Sequence, residues 1–293
     1  MNSYAYRKAD AFTAEGSLGN PAACLYLSDG ERLSDEKMQE IARQHKGYVS
    51  EVVFCTERAD GCFELVYYSS ECEVNFCGHG TIACMHSLIK GRQDLLTKPE
   101  ITLITRKNGV LTLYNDIPSR DAVYISAPVP THLKVPVTAA SVAEKLGASA
   151  ECVSDRYPVD FIDVGNRTLI LPLTDLKTEV SLFPDEAALR RYTLENGIDI
   201  ILIFCMATED KRHFAHTRVF AAKYGYLEDP ATGSGNSAFG YYLLKNGMWQ
   251  GEDITLEQGG CDRKFNTIFL AAREGGLLFG GSSSTRVDGQ YFI

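Results

Sequence analysis

One short pattern occurs twice in this chain and limits what it can fold into. Cys77-Gly78-His79-Gly80-Thr81-Ile82-Ala83 opens an apolar, helix-like stretch that stops at Gly91, and Thr232-Gly233-Ser234-Gly235-Asn236-Ser237-Ala238 opens another that stops at Gly247. Gly78 and Gly233 stand 155 positions apart (233 − 78), about half of the 293 residues. A repeat of that length predicts two copies of one folding unit, each with a helix that starts at a glycine turn. The first amides of a helix lack intrahelical acceptors, and the helix dipole adds partial positive charge there. Two such starts facing one cleft would therefore hold a carboxylate without a lysine or arginine clamp.

The flanking sequence repeats in the same order. Leu33 to Lys46 reads as an amphipathic helix and Asp185 to Gly197 as a helix, and each precedes a strand-like run, Glu51 to Phe54 and Ile200 to Met206. The β-rich passages Phe63 to Ser69 and Phe214 to Ala222 then lead into the two glycine turns. Further on, Ile101 to Ile104 and Val110 to Leu113 flank Asn108-Gly109, a hairpin signal. The Pro-containing stretch Ser126-Ala127-Pro128-Val129-Pro130 sets the expected boundary. Residues 1–127 and 128–280 form the two expected domains, and 281–293 could return to the first as a last strand.

With 45% apolar residues the chain can bury substantial cores. Its formal net charge of −9 argues against nucleic acid, because phosphate-backbone binding needs clustered Lys and Arg. No apolar run is long enough to span a bilayer, and Met1 to Lys8 lacks the apolar segment of a secretion signal. A cytoplasmic protein without a membrane partner is expected. Nine cysteines without compact disulfide spacing fit a reducing compartment.

Several residues are candidates for chemistry. Cys77-x-His79 and Cys84-x-His86 could supply metal ligands, but spacing alone provides neither convergence nor a closed shell, so no metal is expected. Both turns also satisfy a loose Gly-x-Gly-x-x-Ala pattern; a dinucleotide site needs a parallel strand, helix and strand, whereas Gly91 leads into a hairpin, so no nicotinamide or flavin cofactor is expected. Glu51 opens an apolar strand where desolvation raises a carboxyl pKa, as a general base requires; a solvent-facing strand glutamate looks the same in sequence. His79 lies inside the first turn and Asp229 just before the second, where each either meets a substrate or satisfies local backbone. His213 and His216 have the character of structural residues in a β-rich passage.

Seven segments carry a wider likeness: Asp10-Ala11-Phe12-Thr13, Gly19-Asn20-Pro21-Ala22-Ala23, Ser50-Glu51, Cys77-Gly78-His79-Gly80-Thr81, Val164-Gly165-Asn166-Arg167, Arg218-Val219-Phe220 and Glu228-Asp229-Pro230-Ala231-Thr232-Gly233-Ser234. With them the chain resembles, over nearly its whole length, the PhzF family of phenazine-biosynthesis-like isomerases, related in fold to diaminopimelate epimerase and proline racemase. The resemblance implies an α+β fold of two pseudo-symmetric domains, each a β-barrel-like sheet around a central helix, with the site in the cleft and a homodimer as the assembly. It implies Glu51 as the acid–base residue and His79 and Asp229 as polar active-site residues. It also implies a substrate site lined by Asn20, Gly78, Gly80, Gly233, Ser234 and Gly235.

The related racemases use two thiols, one on each face of a carbon. Here Cys77 takes the first position, but Thr232 takes the second, and its hydroxyl is too weak an acid to replace a thiolate at neutral pH. The leading expectation is a cofactor-independent isomerase that moves a proton within a small carboxylated metabolite, with Glu51 removing and returning it. The alternatives are an amino-acid racemase or epimerase that uses Cys77, and a non-catalytic small-molecule-binding protein.

Overall fold

Val52, Phe54, Val66 and Tyr68 alternate along their strands with Val53, Cys55, Leu65 and Tyr67, and all eight are buried. Because successive strand side chains point to opposite faces, burial of both sets requires a layer on each side of the sheet. Two helices supply those layers. The computed structural model describes residues 3–273 and 276–293; Met1 and Asn2, the first two residues of the Met1 to Lys8 segment, lie outside the described residues.

The chain divides into two compact units, Met1–Ser126 with Gly280–Ile293, and Ala127–Phe279. The first contains β1 (Ser3–Ala11), β2 (Asn20–Leu27), α1 (Asp35–Gln44), β3 (Glu51–Glu57), β4 (Phe63–Ser69), β5 (Glu73–Val74), α2 (Gly78–Lys90), α3 (Gln93–Leu96), β6 (Glu100–Thr105), β7 (Gly109–Asp116), α4 (Ile117–Arg120) and β8 (Ala122–Ser126). There follow β9 (Thr131–His132), α5 (Ala139–Lys145), β10 (Asp160–Asp163), β11 (Arg167–Pro172), α6 (Leu176–Ser181), α7 (Glu186–Glu195), β12 (Ile200–Cys205), β13 (Ala215–Phe220), β14 (Glu228–Asp229), α8 (Gly233–Lys245), β15 (Ile254–Gln258), β16 (Asn266–Arg273), β17 (Gly276–Gly281) and β18 (Ser283–Phe292).

The pairings repeat step for step. In the first unit β1–β2 is antiparallel, β2–β3 parallel, β3–β4 and β4–β5 antiparallel, β4–β6 parallel and β6–β7 antiparallel. In the second, β10–β11, β11–β12, β12–β13, β13–β14, β13–β15 and β15–β16 follow the same sequence of senses. The flanking strands differ: β18 returns to pair with β1, whereas the short β9 pairs with β10.

Helix α2 touches β1, β2, β3, β8 and β18, which stand toward opposite ends of its ladder, so the sheet curls around the helix. Helix α8 touches β10, β11, β12 and β16 in the same way. The outer faces are covered by α1, through Met38, Ile41 and Ala42, and by α7, through Leu189. The start of α1 is set by Ser34, whose Oγ accepts the Lys37 amide hydrogen at 3.3 Å, and α7 starts where Asp185 Oδ1 accepts that of Ala188 at 2.7 Å. The Asn108-Gly109 turn closes the β6–β7 hairpin, with Gly109 at φ +72°.

Close packing of a helix start inside a curled sheet leaves no room for side chains there. A Cβ on Gly233 would stand 2.3 Å from Phe279 Cε2, and one on Gly240 2.9 Å from Leu277 Cδ1. Gly233→Ala is expected to destabilise the protein by about 1–3 kcal/mol through overpacking. Denaturant-induced unfolding checks this, and a midpoint equal to that of the unaltered protein would contradict the packing argument.

Candidate functional site

Glu51 is the first residue of β3, and the period of two puts it on the same face as Val53 and Cys55, toward the start of α2. Its register partners are Ala22 and Ser69. At the start of α2, Cys77 is the N-cap, with extended backbone, and its Sγ accepts the Gly80 amide hydrogen at 3.3 Å. Thr81 locks this turn: its Oγ1 donates to the Cys77 carbonyl at 2.8 Å and lies 2.8 Å from Tyr67 Oη on β4. A Cβ on Gly80 would lie 2.9 Å from Val53 Cγ2 and 3.0 Å from Cys77 Sγ, so glycine is what lets the turn press against β3.

These constraints bring Glu51, Cys77 and His79 together. His79 Nε2 lies 3.1 Å from Glu51 Oε2, while Cys77 Sγ lies 3.5 Å from His79 Nδ1 and 3.8 Å from Nε2. Glu51 Oε2 is shut off from solvent yet has no hydrogen-bond partner, so the imidazole meets it within ion-pair range but off the hydrogen-bond axis. Burial pushes the Cys77 thiol up, against the opposing pull of His79. For His79, burial disfavours the charged ring, but Cys77 and Glu51 outweigh it and hold the imidazole well above its ordinary range. Among the described residues, the amides of Gly78 and His79 have no hydrogen-bond acceptor, as the first turn of a helix requires.

Cys84 and His86, which share the Cys-x-His spacing, go elsewhere. Cys84 is buried in the middle of α2, and His86 Nε2 contacts the Asp121 carbonyl at 3.0 Å while Nδ1 lies 3.1 Å from Ser283 Oγ. The residue that joins Cys77 and His79 is Glu51, which is distant in sequence and which spacing could not pair with them.

In the second unit, Thr232 holds the N-cap position of α8 without capping it through its side chain. Its Oγ1 instead donates to Asp229 Oδ2 at 2.7 Å. Gln258 fastens the turn: its Oε1 accepts from the Thr232 amide at 2.9 Å and from Asn236 Nδ2 at 2.7 Å, and its Nε2 donates to the Asp229 carbonyl at 2.8 Å. Ser234 Oγ accepts from Asn166 Nδ2 at 3.1 Å, and Asn166 Oδ1 accepts from Tyr224 Oη at 2.6 Å. Among the described residues, the amides of Gly233, Ser234 and Gly235 have no hydrogen-bond acceptor.

Motif spacing in the sequence does not mark Gln258, Asn166 or Tyr224 as site residues. The available signal for Asn166 was that Gly165-Asn166 repeats Gly19-Asn20; both glycines have positive φ, and the asparagines stand at equivalent places beside β11 and on β2. Asn20 is buried at the start of β2 opposite Ala11. His213 and His216 do not join these groups. His213 Nδ1 lies 2.9 Å from Thr255 Oγ1, and fully buried His216 lies 3.2 Å from Glu179 and edge-on to Phe265.

Two copies of a helix wrapped by a sheet define the epimerase–racemase class of folds. The solved structure of a hydroxyproline epimerase from Agrobacterium vitis, with bound trans-4-hydroxy-L-proline, is 10% identical, with a TM-score of 0.58, over 99% of this chain and 91% of that one. The particular family is narrower: the PhzC-PhzF profile, described as phenazine biosynthesis-like protein, matches residues 9–277, and the chain belongs to this family. The crystal structure of a Bacillus anthracis phenazine biosynthesis protein of the PhzF family has a TM-score of 0.85 at 22% identity and covers 100% of both chains. The uncharacterized isomerase YfhB of Bacillus subtilis is 27% identical over 273 residues, 92% of this chain and 90% of the relative. These relationships place the chain among isomerase-like enzymes. Among the described residues no helix is long and apolar enough to cross a membrane.

A group whose pKa is raised on folding stabilises the protein fully below its unfolded value, and the contribution disappears as pH rises through the folded value. For His79, that window opens near about pH 6.5 and extends upward. His79→Gln is therefore expected to lower stability most in mild acid, with the difference from the unaltered protein closing as pH rises. Unfolding curves across that range, with the His79 ring followed by NMR, check the sign.

Proposed function

We propose that this protein is a cofactor-independent isomerase that moves a proton within a small carboxylated metabolite, with Glu51 as its acid–base group. The observation that carries the reading is the Glu51 side chain, whose Oε2 lies 3.1 Å from His79 Nε2 yet accepts no hydrogen bond, beside a helix start with unclaimed amides. A base needs that combination: an available lone pair and an adjacent cradle for the charge that develops when a C–H proton leaves. Glu51 takes the proton from carbon and returns it at another position of the same substrate. In the first unit the Gly78 and His79 amides hold the substrate carboxylate, with Asn20 as a polar contact, the Gly80 amide being taken by Cys77 Sγ; in the second unit Asp229, Ser234 and the amides of Gly233 to Gly235 form a polar set of their own.

The alternative that uses Cys77 as the base is disfavoured by its environment. A thiol acts through its thiolate, and burial keeps this one protonated. The name isomerase borne by the Bacillus subtilis relative agrees with the reaction class. The cytoplasmic setting and homodimer expected from the sequence and its resemblance belong to the same proposal.

The test is solvent-deuterium incorporation into a panel of small carboxylated metabolites incubated in heavy water. Glu51→Gln is expected to reduce exchange by roughly 10²–10⁴-fold, the usual size of a general acid–base contribution. Cys77→Ser is expected to retain most of it. Loss in Cys77→Ser with retention in Glu51→Gln would reverse the assignment.

A further inference from the structure

We infer that Glu51, Cys77 and His79 form a three-ligand site for a thiophilic divalent cation of the zinc type, and that occupation of the site blocks the isomerase. The blocking part rests on the Glu51 reading above; the binding part does not. One ligand atom from each residue lies within 4.8 Å of the others. With His79 Nε2 as the nitrogen ligand, the separations are 3.1 Å to Glu51 Oε2 and 3.8 Å to Cys77 Sγ. Metal–ligand lengths of about 2.0–2.3 Å at a tetrahedral zinc ion place neighbouring ligand atoms roughly 3.2–3.8 Å apart, close to both of these separations.

The donor set is the second argument. A thiolate, an imidazole and a carboxylate are the three ligand types zinc uses, and three protein ligands leave the fourth position open to water or a substrate carboxylate. Glu51 Oε2 is inaccessible to solvent and accepts no hydrogen bond, its close polar neighbour being His79 Nε2 at 3.1 Å, so a cation between the two would give that oxygen a direct ligand bond. The surrounding turn is rigid, since the sulfur is fixed by the Gly80 amide and the helix start by Thr81 and Tyr67. Binding exchanges the Cys77 thiol proton and the proton on His79 Nε2 for the cation, both protons passing to solvent. No oxidation or reduction is involved. A bound cation takes the Glu51 lone pair that proton transfer needs, so the expected consequence is inhibition.

The probe is Co²⁺, whose tetrahedral thiolate complexes absorb in the near ultraviolet and visible, added to the full-length metal-free protein under reducing conditions. One ion per chain is expected, with a thiolate-to-cobalt charge-transfer band that Zn²⁺ abolishes by displacement. Cys77→Ser should remove the charge-transfer band, and Glu51→Gln and His79→Gln should each weaken binding about tenfold or more. Cys72→Ser and Cys261→Ser, which alter exposed thiols, should leave the spectrum unchanged. Absence of the band in the unaltered protein, or its survival in Cys77→Ser, would overturn the site. Zn²⁺ displacement needs no variant and so separates a lost ligand from a damaged fold. Deuterium exchange that persists in the Zn²⁺-loaded protein overturns the inhibition if Glu51→Gln abolishes exchange. If Glu51→Gln retains exchange, the Glu51 reading falls while the spectra still decide the ion site.

Discussion

The close approach of α2 to β3 at Gly80 is the contact on which the arrangement of the first unit depends. A helix can enter a curled sheet only if its first turn has no side chain facing the strand it meets. At Gly80 even a methyl group would collide with Val53 and with the Cys77 sulfur. That approach sets the depth of α2, and the depth brings His79 within 3.1 Å of Glu51. The same glycine amide caps the helix through the Cys77 sulfur, so packing and site geometry are two consequences of one missing Cβ. Gly235 repeats the relation with Val219, Thr232 and Ile200.

The two units share topology but differ in the groups at their helix starts. β12 starts with Ile200 where β3 starts with Glu51, and each pairs in parallel with the strand before it, through Thr168 and Ala22 respectively. Ile200 packs near Gly235, so the second unit has an apolar contact where the first has its carboxylate. Cys77 and Thr232 diverge as well: the sulfur accepts a helix amide, whereas the hydroxyl donates to Asp229. Gln258 and Asn236 then hold the second turn by a network of neutral side chains.

Much of this was legible in the sequence. Both glycine-led helices, the helix and strand before each, and the Asn108-Gly109 hairpin follow from periodicity and turn chemistry, which are local. Phe63 to Ser69 matches β4 at both ends, whereas the expected Leu33 start moved to Asp35 because Ser34 is the residue whose oxygen reaches the Lys37 amide. The Gly-x-Gly-x-x-Ala pattern has a packing explanation, since Gly80, Gly233 and Gly235 are close-contact positions inside curled sheets. The Cys-x-His spacing was less informative: Cys77 and His79 meet, but Cys84 and His86 diverge because their side chains point to different surroundings from the middle of a buried helix.

The amino-acid order alone therefore determined the duplication, the element types and the identity of the glycine turns, because each is encoded by residues within a few positions of one another. It also placed Glu51 at the start of a strand. Tertiary structure decided what that glutamate faces: the parallel and antiparallel register of β3 and the depth of α2 inside its sheet join an acid to a thiol and an imidazole from another element. It also decided that Asn166, Tyr224 and Gln258 hold the second turn and its neighbouring serine. Those contacts depend on the curvature that packing imposes on the sheet, a property of the whole unit that no short stretch of sequence contains.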